Sequence, residues 1–351
     1  MHRSLMAVAG LALVGTTLSV TPAVAADKES DPPTVLARNQ AGPLSLDVSP
    51  RGTVWYSQNF AGMLMRILPG GEPRVVARTA HHAELGAVSV NKGVVTFATT
   101  SNDGRTRLME RRRNGSIHRV ANLSRYERRH NPDADAVYGV TDLDPSCEAE
   151  WPVDQAGPPT YTGIVESHPY ASVTKGRARY VADAAANAIL KVRKDGSIAT
   201  AAVLPPQPIV IPEGAAGIPE CAVGHTYAFE PVPTDVERGG DGMLYVTLLP
   251  GGPEDPSLGA RASVLRVDPS DGSSEVVADG LLSATGLAVA RNGDMYVAEL
   301  FGNRIRRIPA GMDHAVRWRT STSPGDVEFA DGRVYATRKV FAKGQVVRFP
   351  R

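Results

Sequence analysis

Residues 285–308, TGLAVARNGDMYVAELFGNRIRRI, constrain the fold more than any other stretch of the chain. Leu287 and Val289 alternate with Gly286 and Ala288, the period of two that marks a strand. Asn292-Gly293 follows, and Asn-Gly between two such runs signals a hairpin because both central residues take positive φ. Met295, Tyr296 and Val297 open a second strand that is apolar on both faces, so both faces need cover. After a Gly302-Asn303 turn, residues 304–308 supply a third strand. One such unit cannot bury two faces alone. The pattern recurs about six times, at a period of roughly 40 residues, which is the signature of stacked propeller blades.

Taken in order, the units predict an all-β, six-bladed β-propeller. Blade one covers residues 44–78, blade two 85–121, blade three 168–204 and blade four 233–280. Blade five is the unit above, and blade six starts at residue 324. Turn pairs sit where hairpins need them: Arg51-Gly52, Asn114-Gly115, Asp195-Gly196, Asp241-Gly242, Asp271-Gly272 and Asp331-Gly332. Blade six stops after three strands. The segment Pro33-Thr34-Val35-Leu36-Ala37-Arg38 reads as its missing fourth, so the ring is expected to close on an N-terminal strand, leaving no exposed edge.

Two long connectors interrupt the repeat, at about residues 123–167 and 205–232, and blade four carries an extra loop over residues 249–261. In a propeller, connectors between blades and loops between second and third strands emerge on one face. All the elaboration therefore falls at one mouth of the channel, where long loops on a rigid scaffold commonly carry function. The two cysteines, Cys147 and Cys221, lie one in each connector. In a secreted chain such a pair reads as a disulfide, here pinning the connectors over blade three.

The N terminus supports that address. Arg3, an apolar run over residues 5–20 and Pro22-Ala23-Val24-Ala25-Ala26 read as a signal peptide over residues 1–26. The apolar run is too short to span a bilayer, so the mature chain, residues 27–351, is expected to be a single secreted domain without a membrane span and to be monomeric. Lys plus Arg number 38 against 37 Asp plus Glu, so no net field argues for nucleic acid. Arg111-Arg112-Arg113 and Arg128-Arg129 are read as solvated strand edges and loops rather than as a polyanion patch.

Candidate chemistry lies at the ends of the second strands. Equivalent positions hold Gln58, Asp183, Leu248, Glu299 and Arg338, with Asn187 four residues after Asp183 and Asn303 four after Glu299. The first strands add Asp235 and Asp326 near the axis. Oxygens converging there are what Ca²⁺ or Mg²⁺ needs. Leu248 and Arg338 interrupt the acidic ring, and acids and amides at strand corners often only bind the corner backbone. No bound cofactor is therefore the primary expectation. His168, in Ser167-His168-Pro169-Tyr170, opens blade three on the elaborated face; as a general base it would need an orienting carboxylate. His81-His82, before blade two, could reach the same face, and His225 lies in the second connector. No G-x-S-x-G, H-E-x-x-H or P-loop occurs.

Three stretches carry a family resemblance. They are Tyr126-Glu127 with Asn131-Pro132-Asp133; Ser167-His168-Pro169-Tyr170 with Val181-Ala182-Asp183-Ala184 and Asn187; and Val232-Pro233-Thr234 with residues 241–246, DGMLYV. Together they resemble the ScyD/ScyE family of secreted or periplasmic propellers. His168 stands where that family usually has Asn, and Leu248 where it often has Glu. The resemblance implies fold and location but no reaction. A more distant likeness, through Glu299, Asn303 and the following strand, is to streptogramin lyases and the SMP-30/gluconolactonase propellers, which are metal-dependent enzymes.

Two functions follow as expectations. The first is an extracellular binding module whose ligand, a small molecule, glycan or protein, sits at the loop-covered mouth among His168, Tyr170, Asp183, Asn187, Asp235, Glu299, Asn303 and Tyr227. The second is a metal-dependent lyase or lactonase that uses Glu299, Asp183 and His168.

Overall fold

The first strands of the repeat, three to eight residues long, form the inner wall of the fold. Contacts run between the first strands of consecutive blades in an unbroken circuit: Leu46–Val48, Glu84–Asn91, Pro169–Lys175, Pro233–Arg238, Ala284–Val289, Val327–Ala330 and back to the first. Each blade is a four-stranded antiparallel sheet in sequence order, from the channel outward. In blade six the outermost place is taken by Thr34–Gln40, which pairs with Gly344–Arg348, Thr34 opposite Arg348 and Gln40 opposite Gly344. The ring is six-bladed and closed by an N-terminal strand, as the repeat count and the orphan segment require. The computed structural model describes residues 31–80, 83–252 and 256–350. The signal-peptide reading of residues 1–26 and the His81-His82 pair lie outside the described residues.

The hydrophobic core is divided among the blade interfaces. One buried cluster lies between each pair of neighbouring blades; Tyr180, Ile189, Val246 and Leu265, for example, join blades three and four. Tyr56, Met65, Tyr335 and Val346 join blades six and one across the closure. This is why the second and third strands read as apolar on both faces. Each face meets a different neighbour, and each buried Leu or Ile contributes about 1.5–3 kcal/mol.

The connectors are more ordered than their Pro- and Gly-rich sequences suggest. Val137–Gly139 and Thr160–Thr162 from the first pair with each other. Gln207–Val210 and Thr226–Phe229 from the second do the same, and Gly139 pairs with Ala228 to join the two hairpins. The result is a seventh four-stranded sheet, a cap built from both connectors. Its own small core comprises Val140, Cys147, Trp151, Ile211 and Ala222. Cys147 and Cys221 are disulfide-bonded within it, with Cα atoms 5.8 Å apart. A helix, Leu123–His130, leads into the cap. It is capped by the Asn122 side chain, which accepts from the Arg125 N–H, and closed by Asn131 in the left-handed conformation. Among the described residues no helix is long and apolar enough to cross a membrane.

Candidate functional site

The second-strand column lies where the repeat puts it, but its polar atoms are bound to the corners of their own blades. Asp183 accepts from the Ser167 hydroxyl and from the His168 N–H, both at 2.6 Å. Glu299 accepts from the Leu282 N–H at 2.7 Å and is paired with Arg304. Gln58 accepts from the Ala41 N–H at 2.9 Å, and Arg338 donates to Gln345. Leu248 is buried in the core between blades three and four. Each of the first three ties the end of a second strand to the chain arriving at that blade.

Asn187 and Asn303 share a second repeated duty. Both take the left-handed conformation, with φ of 48° and 50°. Their backbone carbonyls accept from Leu204 and Ser321, and their side-chain oxygens accept from Val232 and Ser323. An amide can take that backbone at low cost and fasten the next connector at once. The expected convergence of these residues on the axis is therefore replaced by corner fastening.

Carboxylates do converge on the channel, from the inner strands. Asp235 and Asp326 are there, joined by Asp47, Glu237 and Glu328. The three aspartates stitch blade to blade. Asp326 accepts from the Leu46 N–H, Asp47 from Val90 and Asp235 from Leu287, at 2.6, 2.5 and 2.6 Å. Asp235 and Asp326 also bond each other, as do Glu237 and Glu328. Burial pushes Asp47 and Asp235 up to about 7. Burial, and then the neighbouring carboxylates, raise Asp326, Glu237 and Glu328 well above their ordinary range. Among the described residues no three His, Cys, Asp or Glu side chains are arranged to hold a metal ion.

Parts of the three stretches that carry the family resemblance meet beneath the cap, where Asn187 links Asp133 to Val232. Asp133 accepts from Tyr138 at 3.1 Å and from the Asn187 amide at 2.8 Å. Asn187 also reaches Glu230 at 3.4 Å, and Asn131 donates to the Gly163 carbonyl at 3.0 Å. Tyr126 clamps the outer strand of blade three by accepting from the Thr200 N–H. Glu127 is 1% exposed, and neither of its oxygens has a hydrogen-bond partner. Burial, then Asp183 and Asp133, raise it to about 8, so it is largely protonated at neutral pH. In the sequence Glu127 and Asp133 stand only as letters of a motif, with no site assigned to them, and Glu230 is missed altogether.

The open part of this face is aromatic. His168 pairs with Glu84 at 2.9 Å and meets Tyr170 edge-on at 5.0 Å. Burial works against the imidazolium, but the Glu84 carboxylate outweighs it and raises His168 above its ordinary value. Phe60, Phe301 and Phe341 are 57%, 37% and 59% exposed. They occupy equivalent loops between second and third strands on three adjacent blades, one, five and six. Phe301 and Phe341 stack at 5.9 Å. A Phe two or three residues after Gln58, Glu299 and Arg338 was the readable signal. Tyr227 belongs instead to the cap, stacked with Trp151 and tilted against Phe229, and His225 pairs there with Asp142 at 3.0 Å.

Comparison with protein-family models and with curated proteins gives no match. Solved structures do match over nearly the whole chain. A catalytically inactive virginiamycin B lyase from Staphylococcus aureus with quinupristin shares 16% identity, covering 90% of this chain and 98% of its own, with a TM-score of 0.51. The calcium-binding protein regucalcin from Agrobacterium tumefaciens shares 13%, covering 91% and 95%, with a TM-score of 0.52. The PQQ-bound aldose sugar dehydrogenase from Streptomyces coelicolor shares 12%, covering 90% and 97%, with a TM-score of 0.51. At such identities the likeness is one of fold: the chain is a β-propeller built like these proteins.

Proposed function

We propose that the chain is a secreted, monomeric propeller of the ScyD/ScyE type that acts as an extracellular binding module. The carrying observation is the set of exposed rings, Phe60, Phe301 and Phe341, on the face that also bears the cap. Exposed aromatics gathered on one face mark an interaction site, and flat rings suit a sugar ring or an aromatic small molecule. The half-exposed His168–Glu84 pair beside Tyr170 supplies polar contacts on the blade-three side. The Cys147–Cys221 bond is compatible with an oxidising, extracellular address.

The rival reading, a metal-dependent lyase or lactonase like some fold neighbours, asks more of the residues. Glu299 and Asp183 would have to release the backbone they hold before serving as ligands. Those contacts are the observation that weighs against a divalent ion at these corners.

A microarray of glycans and aromatic metabolites, probed with wild type and a Phe301→Ser/Phe341→Ser variant, tests the proposal. Loss of two aromatic anchors should weaken binding about tenfold or more. Elemental analysis after incubation with millimolar Ca²⁺ or Mg²⁺ decides the rival. A stoichiometric ion that disappears in Glu299→Ala would replace the binding module with the metal enzyme.

A further inference from the structure

Hairpin turns between first and second strands, and between third and fourth, emerge on the face opposite the cap. On blades two and three these turns are basic. Lys92 lies in the turn after Glu84–Asn91, and Arg112 and Arg113 in the turn after Thr106–Arg111. Arg177 precedes Ala178–Asp183, and Lys194 follows Ala188–Val192. With Arg119 on the outer strand of blade two, these six side chains line a cleft of about 910 Å³ between the two blades.

None of the six is in an ion pair among the described residues. Two carboxylates also line the cleft, too few to neutralise them. Glu110 is paired with Arg179 and His118. Asp195 accepts from the backbone and hydroxyl of Ser197, keeps its negative charge and offsets one of the six. A chain of net charge +1 thus concentrates uncompensated positive charge in one concavity. The run Arg111-Arg112-Arg113, expected as plain solvated edge, is divided by the fold. Arg111 lies over the Trp55 ring at 5.5 Å, while its two neighbours line the cleft.

The walls are fixed in place. Gly196 has φ +84°, and a Cβ there would come within 2.5 Å of the Val120 carbonyl, so the blade-three turn lies directly against the outer strand of blade two. The cleft continues, through Arg177 and Lys194, into a second concavity of about 810 Å³ that adds Lys191 and Arg193. Such a trough matches a chain of charges better than a single anion.

We propose that this trough binds a linear, phosphate-bearing polymer. Arginine, the majority among the six, grips phosphate through its planar fork. Non-specific single-strand binders add aromatic platforms for the bases. The residues lining the first cleft include no Phe, Tyr or Trp, and the one such ring lining the second, Tyr180, is 4% exposed and lies beneath Lys191. The trough therefore suits a polymer whose recognition is all charge, and not a nucleic acid.

The test uses the full-length secreted protein and medium-chain inorganic polyphosphate, with affinity measured by competition against a labelled polyphosphate. With six contacts, binding should weaken on the order of 10³-fold as salt rises from about 50 to about 200 mM. Arg112→Gln/Lys194→Gln should lower the slope of log K against log salt by roughly 1.5. The control pair Arg51→Gln/Arg74→Gln changes net charge equally, outside the cleft, and should leave the slope unchanged. Equal losses in both pairs would overturn the site. Equal affinity for orthophosphate would overturn the polymer. Tighter binding of heparin or of oligo-deoxythymidine at matched charge would overturn the assignment to a phosphate polymer other than nucleic acid. Matching thermal melts for both pairs would exclude misfolding as the cause of any loss.

Discussion

Replacing Glu328 by Gln should stabilise the propeller at alkaline pH and do little in acid. Glu328 lies on the inner strand of blade six, takes the Phe329 N–H at 3.0 Å and faces Glu237 across the channel. An amide keeps both interactions, because its oxygen accepts from Phe329 and its NH₂ donates to Glu237 without a shared proton. The sign follows from proton binding. Asp47 and Asp235 are held at about 7 by burial, against 3.8 ordinarily. Between about pH 4 and 7 the folded cluster keeps protons that the unfolded chain has lost. Its contribution is full below about pH 4 and is lost as pH rises through about 7. Each retained proton is worth about 1.4 kcal/mol per pH unit. Two such groups set a ceiling of about 5 kcal/mol between pH 5 and 7, and mutual coupling brings the expected loss to about 2–3 kcal/mol. Glu328→Gln removes a buried carboxyl whose ionisation the fold opposes and the unfolded chain does not, and should recover about 1–2 kcal/mol at pH 8. Urea unfolding followed by tryptophan fluorescence at about pH 5 and about pH 8 measures both effects. Wild-type stability that rises over that interval, or a variant no more stable than wild type at pH 8, would refute the reasoning.

Three further outcomes are expected. Gly286→Ala should cost about 2–4 kcal/mol, because the added Cβ would lie 2.6 Å from Asp326 Cα in the next blade, whereas Gly240→Ala, which meets nothing within 4 Å, should leave the melting temperature near wild type. Removing the disulfide with Cys147→Ser/Cys221→Ser releases a constraint spanning 74 residues, worth about 4 kcal/mol in chain entropy. Hydrogen exchange should accelerate in the cap strands Val137–Gly139 and Thr226–Phe229 and hardly at all in blade five; uniform acceleration would contradict a local role. Ala37→Glu buries a charge at a position 3% exposed in the closing strand, and should cost about 3 kcal/mol or more. It should also bring concentration-dependent association by light scattering, as the edge of Gly344–Arg348 loses its partner.

What the sequence made legible was local. The alternation in Ala284–Val289 and the Asn292-Gly293 turn lie within one hairpin, and the closing strand could be found because one blade lacked its fourth. The cap sheet was not legible, since its strands are three or four residues long, lie among Pro and Gly, and pair across the whole of blade three. The channel acids were half legible. Asp235 and Asp326 could be placed near the axis, and Glu237 and Glu328, two residues further on, share their face, but nothing local says what that face meets. Only a closed ring turns that face of an inner strand toward other carboxylates. The second-strand column lies at the strand ends, yet Gln58, Asp183 and Glu299 are each held by a backbone N–H of the arriving chain, which no side-chain pattern announces.

The closure also fixes an order of events. Thr34–Gln40 belongs to the beginning of the described chain and Gly344–Arg348 to its end, and the Leu46 N–H is held by Asp326, 280 residues away. In a chain that emerges from its N terminus, the opening strand therefore has no partner until the final hairpin arrives. Blades two to five can assemble early from neighbours in sequence. The seam can form only last, and until then both of its edges remain available to other chains. Productive maturation of this protein thus depends on shielding its first strand for as long as synthesis lasts, a demand that an open row of the same blades would not impose.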